Sequence, residues 1–335
     1  MITLKSNPKI SVLMSVYNGE KWLDEAIQSV LQQTFTNFEF IIVNDGSTDD
    51  SLEMIFKNSI KDPRIKVFDK PKTGLADSLN YGIERCKGDW IARIDADDLC
   101  EPHRLSIQYD KAKSYPDLVL IGSGLTQIDE NGKRGREINY PDDHLKLTKR
   151  LTLLNKGFFP HSSAFIRNKS VIYLGGYRCC FQRAQDYDLW LRLSELGKIG
   201  CVEQPLVRIR HHTNQISHDQ AGMRQIIDSR VALVSYYLRL AGVDDPASLE
   251  SSDAEFDVFR NYVLSSLAKE SLFELSSFVK NIKKNLSTKS ILGLMRVISS
   301  TIISPNLIRI YISKYVYGEK FSKKISEMYI RGAKR

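Results

Sequence analysis

The chain has 335 residues, of which 42% are hydrophobic and 26% are charged, and its formal net charge is +8. The length is sufficient for one full domain and a smaller second unit, and the composition is that of an ordinary globular protein, which excludes a fibrous or largely disordered chain. The five cysteines are odd in number and have no CxxC spacing, which argues against a disulfide framework or a zinc site and favours the reducing cytosol.

Strands and helices alternate through the first hundred residues. Runs of apolar and β-branched residues predict buried strands at 10–16, 38–43, 65–68 and 90–94. Apolar residues at helical spacing lie in each of the three segments between these strands. Because repeated strand–helix–strand units form right-handed, mostly parallel sheets, the sequence predicts a doubly wound α/β domain.

The pattern changes after Pro102. Asn131-Gly132 lies between the segments 125–129 and 133–139 and is a strong signal for a β-hairpin. The chain is predicted to be almost wholly helical from Asp219 onward. Other elements of this part are predicted strands at 118–122, 163–166 and 206–210 and a helix at 186–196.

The positive charge is concentrated at the C-terminal end of the chain. Residues 280–335 carry nine Lys and four Arg against two Glu, a net charge of +11, which leaves −3 for the rest of the chain. Apolar residues recur at helical spacing between 291 and 315, and basic amphipathic helices bind anionic membrane surfaces. The alternative is a helical cap that packs on the α/β domain and exposes a basic face. A nucleic-acid partner is not expected, because the chain has no recognised nucleic-acid module.

These patterns predict two parts, an α/β domain over residues 1–218 and a helical, basic region over residues 219–335. The first nine residues contain no apolar core of signal-peptide length. No uninterrupted apolar run in the sequence is long enough to span a bilayer. We therefore expect a cytoplasmic protein that is peripheral on the inner face of the cytoplasmic membrane.

Three carboxylates are crowded in Asp95-Ala96-Asp97-Asp98, directly after the fourth predicted strand. Crowded carboxylates repel one another and keep their charge at neutral pH only if a cation or strong donors lie among them. Oxygen ligands favour a hard ion such as Mg²⁺ or Mn²⁺, and ligands bind at the open ends of strands in α/β sheets. The motif therefore indicates a metal site for a phosphate-bearing substrate, with an acidic helix-capping turn as the alternative.

Three further residues at strand or helix ends are candidates for binding and catalysis. Tyr17 follows the first predicted strand and offers a ring face to a nucleobase, or else it is a core tyrosine. Asp45 ends the second strand and can accept hydrogen bonds from a base or a ribose, or else it forms an Asx-type turn. Asp186 could be a general base, or else it favours the N-terminus of the predicted helix.

The order and spacing of four segments closely resemble glycosyltransferase family 2, the inverting enzymes with the GT-A fold. The resemblance extends from about Ile10 to Ser217 and is greatest to bacterial enzymes that build O-antigen, capsule or other surface polysaccharide. The four segments are Ser15-Val16-Tyr17-Asn18-Gly19, Val43-Asn44-Asp45-Gly46-Ser47-Thr48-Asp49, Arg93-Ile94-Asp95-Ala96-Asp97-Asp98 and Gln185-Asp186-Tyr187-Asp188-Leu189-Trp190.

The resemblance implies a role for each motif residue. Tyr17 matches the residue that packs on the uracil, and Asp45 matches the one that binds the nucleoside. Asp95 and Asp97 match the DXD motif, in which Asp97 is the direct metal ligand and Asp95 holds the ribose or an outer-shell water. Asp186 matches the catalytic base.

Two other segments match the family less fully. Arg210-His211-His212 matches the closing Arg-x-His segment over the diphosphate, where His212 fits the histidine better than His211, and the planar fork of Arg210 suits phosphate. His161 matches a segment near the acceptor. Most relatives have Glu where this chain has Gln185, which changes the charge beside the base without removing it.

The resemblance implies a metal-dependent, inverting transfer of a hexose or N-acetylhexosamine from a UDP-sugar, with Mn²⁺ or Mg²⁺ as cofactor. The acceptor is a hydroxyl group of a glycan or lipid-linked oligosaccharide. One alternative is a sugar nucleotidyltransferase, but Ser15 to Lys21 is not the glycine-rich, basic loop that such enzymes carry. The other is a non-catalytic scaffold that binds nucleotide-sugars, against which Asp97 and Asp186 argue.

Overall fold

The computed structural model describes residues 7–153, 158–212, 220–248, 251–266 and 318–333. The chain divides into two compact units. The larger unit contains residues 1–151 and 157–218, and the smaller unit contains residues 152–156 and 219–335.

A nine-stranded sheet forms the centre of the larger unit. Its strand order is β3-β2-β1-β4-β8-β6-β9-β5, and β7 pairs with β6 outside this path. The strands are β1 (Ile10–Val16), β2 (Phe38–Asp45), β3 (Ile65–Lys70), β4 (Trp90–Arg93), β5 (Leu99–Cys100), β6 (Leu118–Ile128), β7 (Arg134–Ile138), β8 (Phe165–Arg167) and β9 (Lys198–Arg210).

Seven α-helices connect the strands of this unit, and a 3₁₀ turn at His161–Ser163 precedes β8. The helices are α1 (Glu20–Leu31), α2 (Ser51–Lys61), α3 (Leu75–Ile83), α4 (Arg104–Ser114), α5 (His144–Leu153), α6 (Asn168–Tyr173) and α7 (Gln185–Leu196).

Strands β3, β2, β1 and β4 are mutually parallel, with Leu13 of β1 opposite both Ile41 of β2 and Arg93 of β4. Their carboxyl ends therefore share one edge of the sheet. The amphipathic spacing of α1 buries Leu23, Ala26 and their neighbours against the apolar face of these strands, and each fully buried apolar side chain contributes roughly 1.5–3 kcal/mol. The predicted α/β class is confirmed.

The second half of the sheet is mixed, because β8 runs antiparallel between β4 and β6. The segments predicted separately at 118–122 and 125–129 form the single strand β6. Gly122 and Gly124 are poor strand formers, but parallel pairing with β9 keeps this stretch extended, with register shifts near Gly124. Helix α4 was not predicted because its buried face includes the polar Arg104 and Gln108.

The smaller unit is helical where it is described. Helices α8 (Gln220–Leu240) and α10 (Gly318–Ala333) contact each other, and residues 253–266 form a helix, α9, between them in the chain. The Tyr329 ring of α10 lies 5.4 Å from Phe259 and 5.2 Å from Tyr262. In the segments that the structure covers, no helix has the length and apolarity needed to cross a membrane. The apolar stripe predicted between 291 and 315 lies outside the described residues.

Candidate active site

The predicted motifs lie at the edge of the sheet where the parallel strands end. Tyr17 follows β1, Asp45 is the last residue of β2, and Asp95 lies two residues beyond β4. The last residue of β9 is Arg210, and its main-chain N–H donates to Asp98 Oδ1 at 2.9 Å. This bond holds the end of β9 against the acidic loop that follows β4.

Tyr17 presents its ring at the surface. Its exposed fraction is 44%, which excludes the alternative of a core tyrosine. The ammonium nitrogen of Lys72 lies 3.7 Å from the ring centroid. An accessible aromatic face at a strand end is suited to stacking with a nucleobase, and Lys72 already uses that face for a cation–π contact.

Asp45 is buried, and both of its carboxylate oxygens accept hydrogen bonds from the loop that follows β3. The main-chain N–H groups of Thr73 and Gly74 donate to it at 2.9 Å each, and Lys70 Nζ lies 3.0 Å away. Burial by itself would raise the pKa of Asp45, but the hydrogen bonds from Thr73, Ser78, Lys70 and Gly74 together lower it. Asp45 is therefore ionised at neutral pH and holds this loop in place.

Asp98 is buried, and Asp95, whose side chain is 34% exposed, is held by donors of the protein. Asp95 pairs with the buried Arg93 guanidinium through Oδ1, and the Ser162 hydroxyl lies 2.7 Å from Asp95 Oδ2 and 2.5 Å from Asp98 Oδ2. Burial opposes ionisation of Asp95, but the charge of Arg93 and further contacts lower its pKa. Burial and the charges of Asp97 and Asp95 raise the pKa of Asp98 well above its ordinary value.

Asp97 faces a histidine and solvent. Its side chain is 32% exposed, and its Oδ2 lies 3.0 Å from His212 Nε2. Burial and the charge of Asp95 raise the pKa of Asp97. The ring of His212 lies 4.4 Å from that of Trp22 at a tilt of 40°, and its Nδ1 is buried without a hydrogen-bond partner. A partly exposed carboxylate and an imidazole that is 8% exposed thus lie side by side.

This pair fits a metal that a substrate also ligates. Within the described ranges no group of three or more His, Cys, Asp or Glu side chains is arranged to hold a metal ion. Mg²⁺ in phosphate-transfer sites is typically bound by one or two protein carboxylates together with substrate phosphates, and imidazole is a good ligand for several divalent metals. Asp97 and His212 therefore match a site that is completed by a diphosphate.

Arg210 lies beside this pair but is directed into the protein. It is 1% exposed, and its guanidinium donates to the main-chain oxygens of Asp97 and Glu130 and to Glu25 Oε2. The phosphate contact expected of Arg210 remains a prediction, and the protein acceptors around the guanidinium weigh against it. The His211 side chain is exposed, and the main-chain N–H of His211 donates to the main-chain oxygen of Ile128.

Asp186 lies in the first turn of α7, directly after Gln185. The residue before this helix, Ala184, has a φ of +60°, which is in the left-handed region. The Asp186 side chain is half-buried, and its Oδ1 accepts the main-chain N–H of Tyr187 at 2.8 Å. Burial, followed by the charge of Asp95, raises the pKa of Asp186. A carboxylate with a raised pKa in a partly open site is suited to accept a proton.

Asp188 has a different role from Asp186. It is fully buried and pairs with Arg178 and Arg192, with Nε–Oδ2 distances of 2.9 Å to each. Arg192 also donates to the carbonyl oxygens of Leu174 and Gly176. This ion-pair network fixes the loop before α7, so Asp188 is a structural residue.

Three residues near the two aspartates at 95 and 186 were given no definite role by the sequence. Arg93 is fully buried, and its Nε has no hydrogen-bond partner. His161 Nε2 lies 2.7 Å from the Tyr177 hydroxyl, and burial together with the charge of Arg93 lowers the pKa of His161 to about 3, so the ring is neutral. For this cluster of Arg93, His161 and Tyr177, the sequence offered one signal, which is the presence of Arg93 inside the apolar run 90–94.

Comparison with known families and proteins agrees with these motifs. The model of glycosyl transferase family 2 matches residues 11–175. The chain is 35% identical over 217 residues to the putative glycosyltransferase EpsE of Bacillus subtilis, covering 63% of this chain and 76% of EpsE. It is 35% identical over 193 residues to the O-antigen biosynthesis glycosyltransferase WbnJ of Escherichia coli, covering 57% and 74%. It is 32% identical over 238 residues to the amylovoran biosynthesis glycosyltransferase AmsE of Erwinia amylovora, covering 69% and 85%.

Solved structures share the fold at low sequence identity. S. aureus TarS 1–349 in complex with UDP-GlcNAc aligns with a TM-score of 0.58 and 14% identity over 97% of this chain and 92% of that one. The mannosyltransferase PcManGT from Pyrobaculum calidifontis, in complex with GDP-Man and Mn²⁺, aligns with a TM-score of 0.55 and 14% identity over 93% and 88%.

The different environments of Asp186 and Asp188 predict different effects on stability. Asp188→Asn removes the charge between two buried guanidinium groups, so we expect the free energy of unfolding to fall by about 3–5 kcal/mol. Asp186→Asn removes a half-buried carboxylate whose pKa is raised, so we expect little loss or a small gain. Urea denaturation followed by circular dichroism measures both, and equal losses would contradict the structural role of Asp188.

Proposed function

The chain belongs to glycosyltransferase family 2, and from this premise we propose that it transfers a hexose or N-acetylhexosamine from a UDP-sugar to a glycan hydroxyl group in bacterial surface polysaccharide synthesis. The observation that carries the proposal is that the Asp97–His212 pair and the half-buried Asp186 both lie close enough to Asp95 for its charge to raise the pKa of Asp97 and of Asp186. The UDP-GlcNAc complex of TarS and the O-antigen and amylovoran enzymes support the donor class and the pathway class.

The nucleoside part of the donor binds at the ends of β1 and β2. The Tyr17 ring stacks on the base after Lys72 moves from its face, and Asp45 positions the loop against which the base lies. Asp95 holds the ribose or a water from a carboxylate that Arg93 and Ser162 keep in place. The position of these residues along one sheet edge supports this assignment.

Asp97 and His212 hold Mn²⁺ or Mg²⁺ together with the diphosphate. When bound, the ion neutralises the charge that develops on the leaving diphosphate. The Mn²⁺ complex of PcManGT supports the use of a metal in this fold. The role of the chain itself is to keep the carboxylate and the imidazole on one side of the diphosphate.

Asp186 accepts the proton of the acceptor hydroxyl group as that oxygen attacks the anomeric carbon. The bond from the anomeric carbon to the diphosphate oxygen breaks as the new glycosidic bond forms, and the sugar passes through an oxocarbenium-like state. A single displacement inverts the anomeric centre, so an α-linked donor gives a β-glycoside. No covalent enzyme intermediate is required.

Residues 1–218 form the transferase domain in this proposal, and residues 219–335 form the basic helical region. The acceptor is lipid-linked, and the region from Lys280 to Arg335 binds the membrane surface through its +11 charge. A sugar nucleotidyltransferase is less suitable, since the family consists of glycosyltransferases. A non-catalytic scaffold is less suitable, since both Asp97 and Asp186 are present.

The first test concerns the base. Asp186→Asn keeps the shape of the side chain but cannot accept the proton, so we expect the transfer rate to fall by about 10²- to 10⁴-fold with little change in UDP-sugar affinity. Because the pKa of Asp186 is raised, the wild-type rate should fall on acidification at a pH above the ordinary aspartate range. The rate is measured as release of UDP in the presence of acceptor. GDP-mannose, offered in place of the UDP-sugar, tests whether the enzyme selects the uridine nucleotide. The control variant is Glu195→Gln, which changes an exposed residue of the same helix. Normal turnover by Asp186→Asn contradicts the assignment.

The second test concerns the metal. EDTA should abolish transfer, and Mn²⁺ or Mg²⁺ should restore it, because Asp97 and His212 need the cation to hold the diphosphate. Asp97→Ala should lose most activity while its circular dichroism spectrum stays that of the wild type. Asp110→Ala, an exposed carboxylate on α4, should behave as the wild type. Full turnover in EDTA would overturn the metal assignment.

The third test concerns the basic tail. The intact chain should sediment with anionic vesicles, and salt should weaken this binding by screening. Truncation before Lys280 should lower vesicle binding and spare transfer to a short soluble acceptor. If the tail is instead a structural cap, the intact chain will not sediment and the truncated chain will melt at a lower temperature.

A further inference from the structure

Three segments of the larger unit meet around the Asp97–His212 pair. They are the first turns of α1, the end of β9, and the tip of the β6–β7 hairpin, which we define as residues 129–132. Their mutual contacts depend on two side chains, Trp22 and Arg210. Both side chains contact Glu130. These contacts were not predicted from the sequence, because Trp22 and Arg210 are 108 and 80 residues away from Glu130 in the chain.

Arg210 connects the acidic loop to the hairpin tip and to α1. Its Nε donates to the main-chain oxygen of Asp97 at 2.9 Å, its Nη1 donates to that of Glu130 at 3.1 Å, and its Nη2 lies 2.8 Å from Glu25 Oε2. All three guanidinium nitrogens therefore have protein acceptors. Since the side chain is also 1% exposed, a diphosphate could reach it only if these bonds broke.

Trp22 supports the histidine of the pair. Its ring centroid lies 4.4 Å from that of His212, and its indole Nε1–H donates to the main-chain oxygen of Glu130 at 3.1 Å. The imidazole is thus in contact with the indole ring and with Asp97 Oδ2. Removing the indole would leave the contact with Asp97 as the one described bond that orients the imidazole.

The Glu130 carbonyl group is the shared acceptor of Trp22 and Arg210, and the hairpin tip holds it rigidly. Asp129 Oδ1 accepts the main-chain N–H groups of Asn131 and Lys133 at 2.9 Å each. Gly132 has a φ of +81°, a conformation that glycine adopts without strain. A carbonyl oxygen fixed in this way can set the position of both donors.

We propose that Trp22 and Arg210 are positioning residues that hold His212 and Asp97 at the separation needed to receive a divalent cation and a diphosphate, and that the Arg210 guanidinium does not bind the diphosphate. This inference rests on the proposed function, since it assigns a purpose to the pair. Residues that orient metal ligands through hydrogen bonds typically change metal affinity by about 10- to 100-fold when they are removed.

The test measures binding, with Trp22→Leu, Arg210→Met and Arg210→Lys compared with the wild type. Free Mn²⁺ is measured by electron paramagnetic resonance in the presence of UDP, and the affinities for UDP and uridine are measured in EDTA by calorimetry. We expect Trp22→Leu and Arg210→Met to weaken Mn²⁺ binding by about 10-fold or more. Arg210→Lys should resemble Arg210→Met, because an ammonium group cannot reach all the acceptors of the planar fork.

The ratio of UDP to uridine affinity in EDTA distinguishes the two roles of Arg210. A positioning role leaves this ratio unchanged in Arg210→Met, whereas a phosphate ligand would lower it and overturn the inference. Unchanged Mn²⁺ affinity in all three variants would also overturn it.

Should the variants melt far below the wild type, Trp22→Phe and Glu25→Gln replace them. Trp22→Phe removes the indole N–H, and Glu25→Gln removes the carboxylate charge of an exposed residue. Each should cause a loss of Mn²⁺ affinity that is smaller than the loss expected for Trp22→Leu and Arg210→Met.

The wild-type measurement separates failure of this inference from failure of the proposed function. A wild-type chain that binds UDP but no Mn²⁺ refutes the metal site and the inference with it. A wild-type chain that binds both, with variants that are unaffected, refutes the inference alone.

Discussion

Compensation of negative charge at one sheet edge is the constraint on which the rest of the site depends. Asp95, Asp97 and Asp98 lie within four residues, and two like charges about 4 Å apart repel by about 4 kcal/mol at the effective dielectric near a protein surface. The fully buried Arg93 pairs with Asp95. Behind it, the equally buried Arg104 donates to the main-chain oxygen of Arg93 at 2.8 Å, and its other described acceptors are neutral. These two cations offset part of the negative charge of the acidic loop.

This compensation also divides the carboxylates into two groups. Those at positions 45, 95 and 188 accept hydrogen bonds or ion pairs from donors of the protein, which hold the surrounding loops. The pKa of Asp97 and that of Asp186 are instead raised by burial and by the charge of Asp95. The ionised form of both groups, which are assigned to metal binding and to proton transfer, is therefore disfavoured by the protein, as is that of the buried Asp98.

The sequence predicted the strand ends well and their surroundings poorly. Hydrophobic runs located β1, β2 and β4 to within two residues, and the polar residues after them lie along one edge of the sheet. Pairing across the fold was not predictable, because Ser162 reaches Asp95 over 67 residues and Arg210 reaches Glu25 over 185. The phosphate contact of Arg210 stays a prediction, since residue type alone does not indicate whether a guanidinium points into the protein or out of it.

The anchoring of the hairpin tip has a consequence for how such a site can diversify. Trp22 and Arg210 both donate to the main-chain oxygen of residue 130, which every amino acid supplies. The Glu130 side chain forms a surface ion pair with Lys21, a kind of contact that is worth about 0–1 kcal/mol. Substitutions at position 130 therefore change the surface of the hairpin tip and keep the acceptor that Trp22 and Arg210 share.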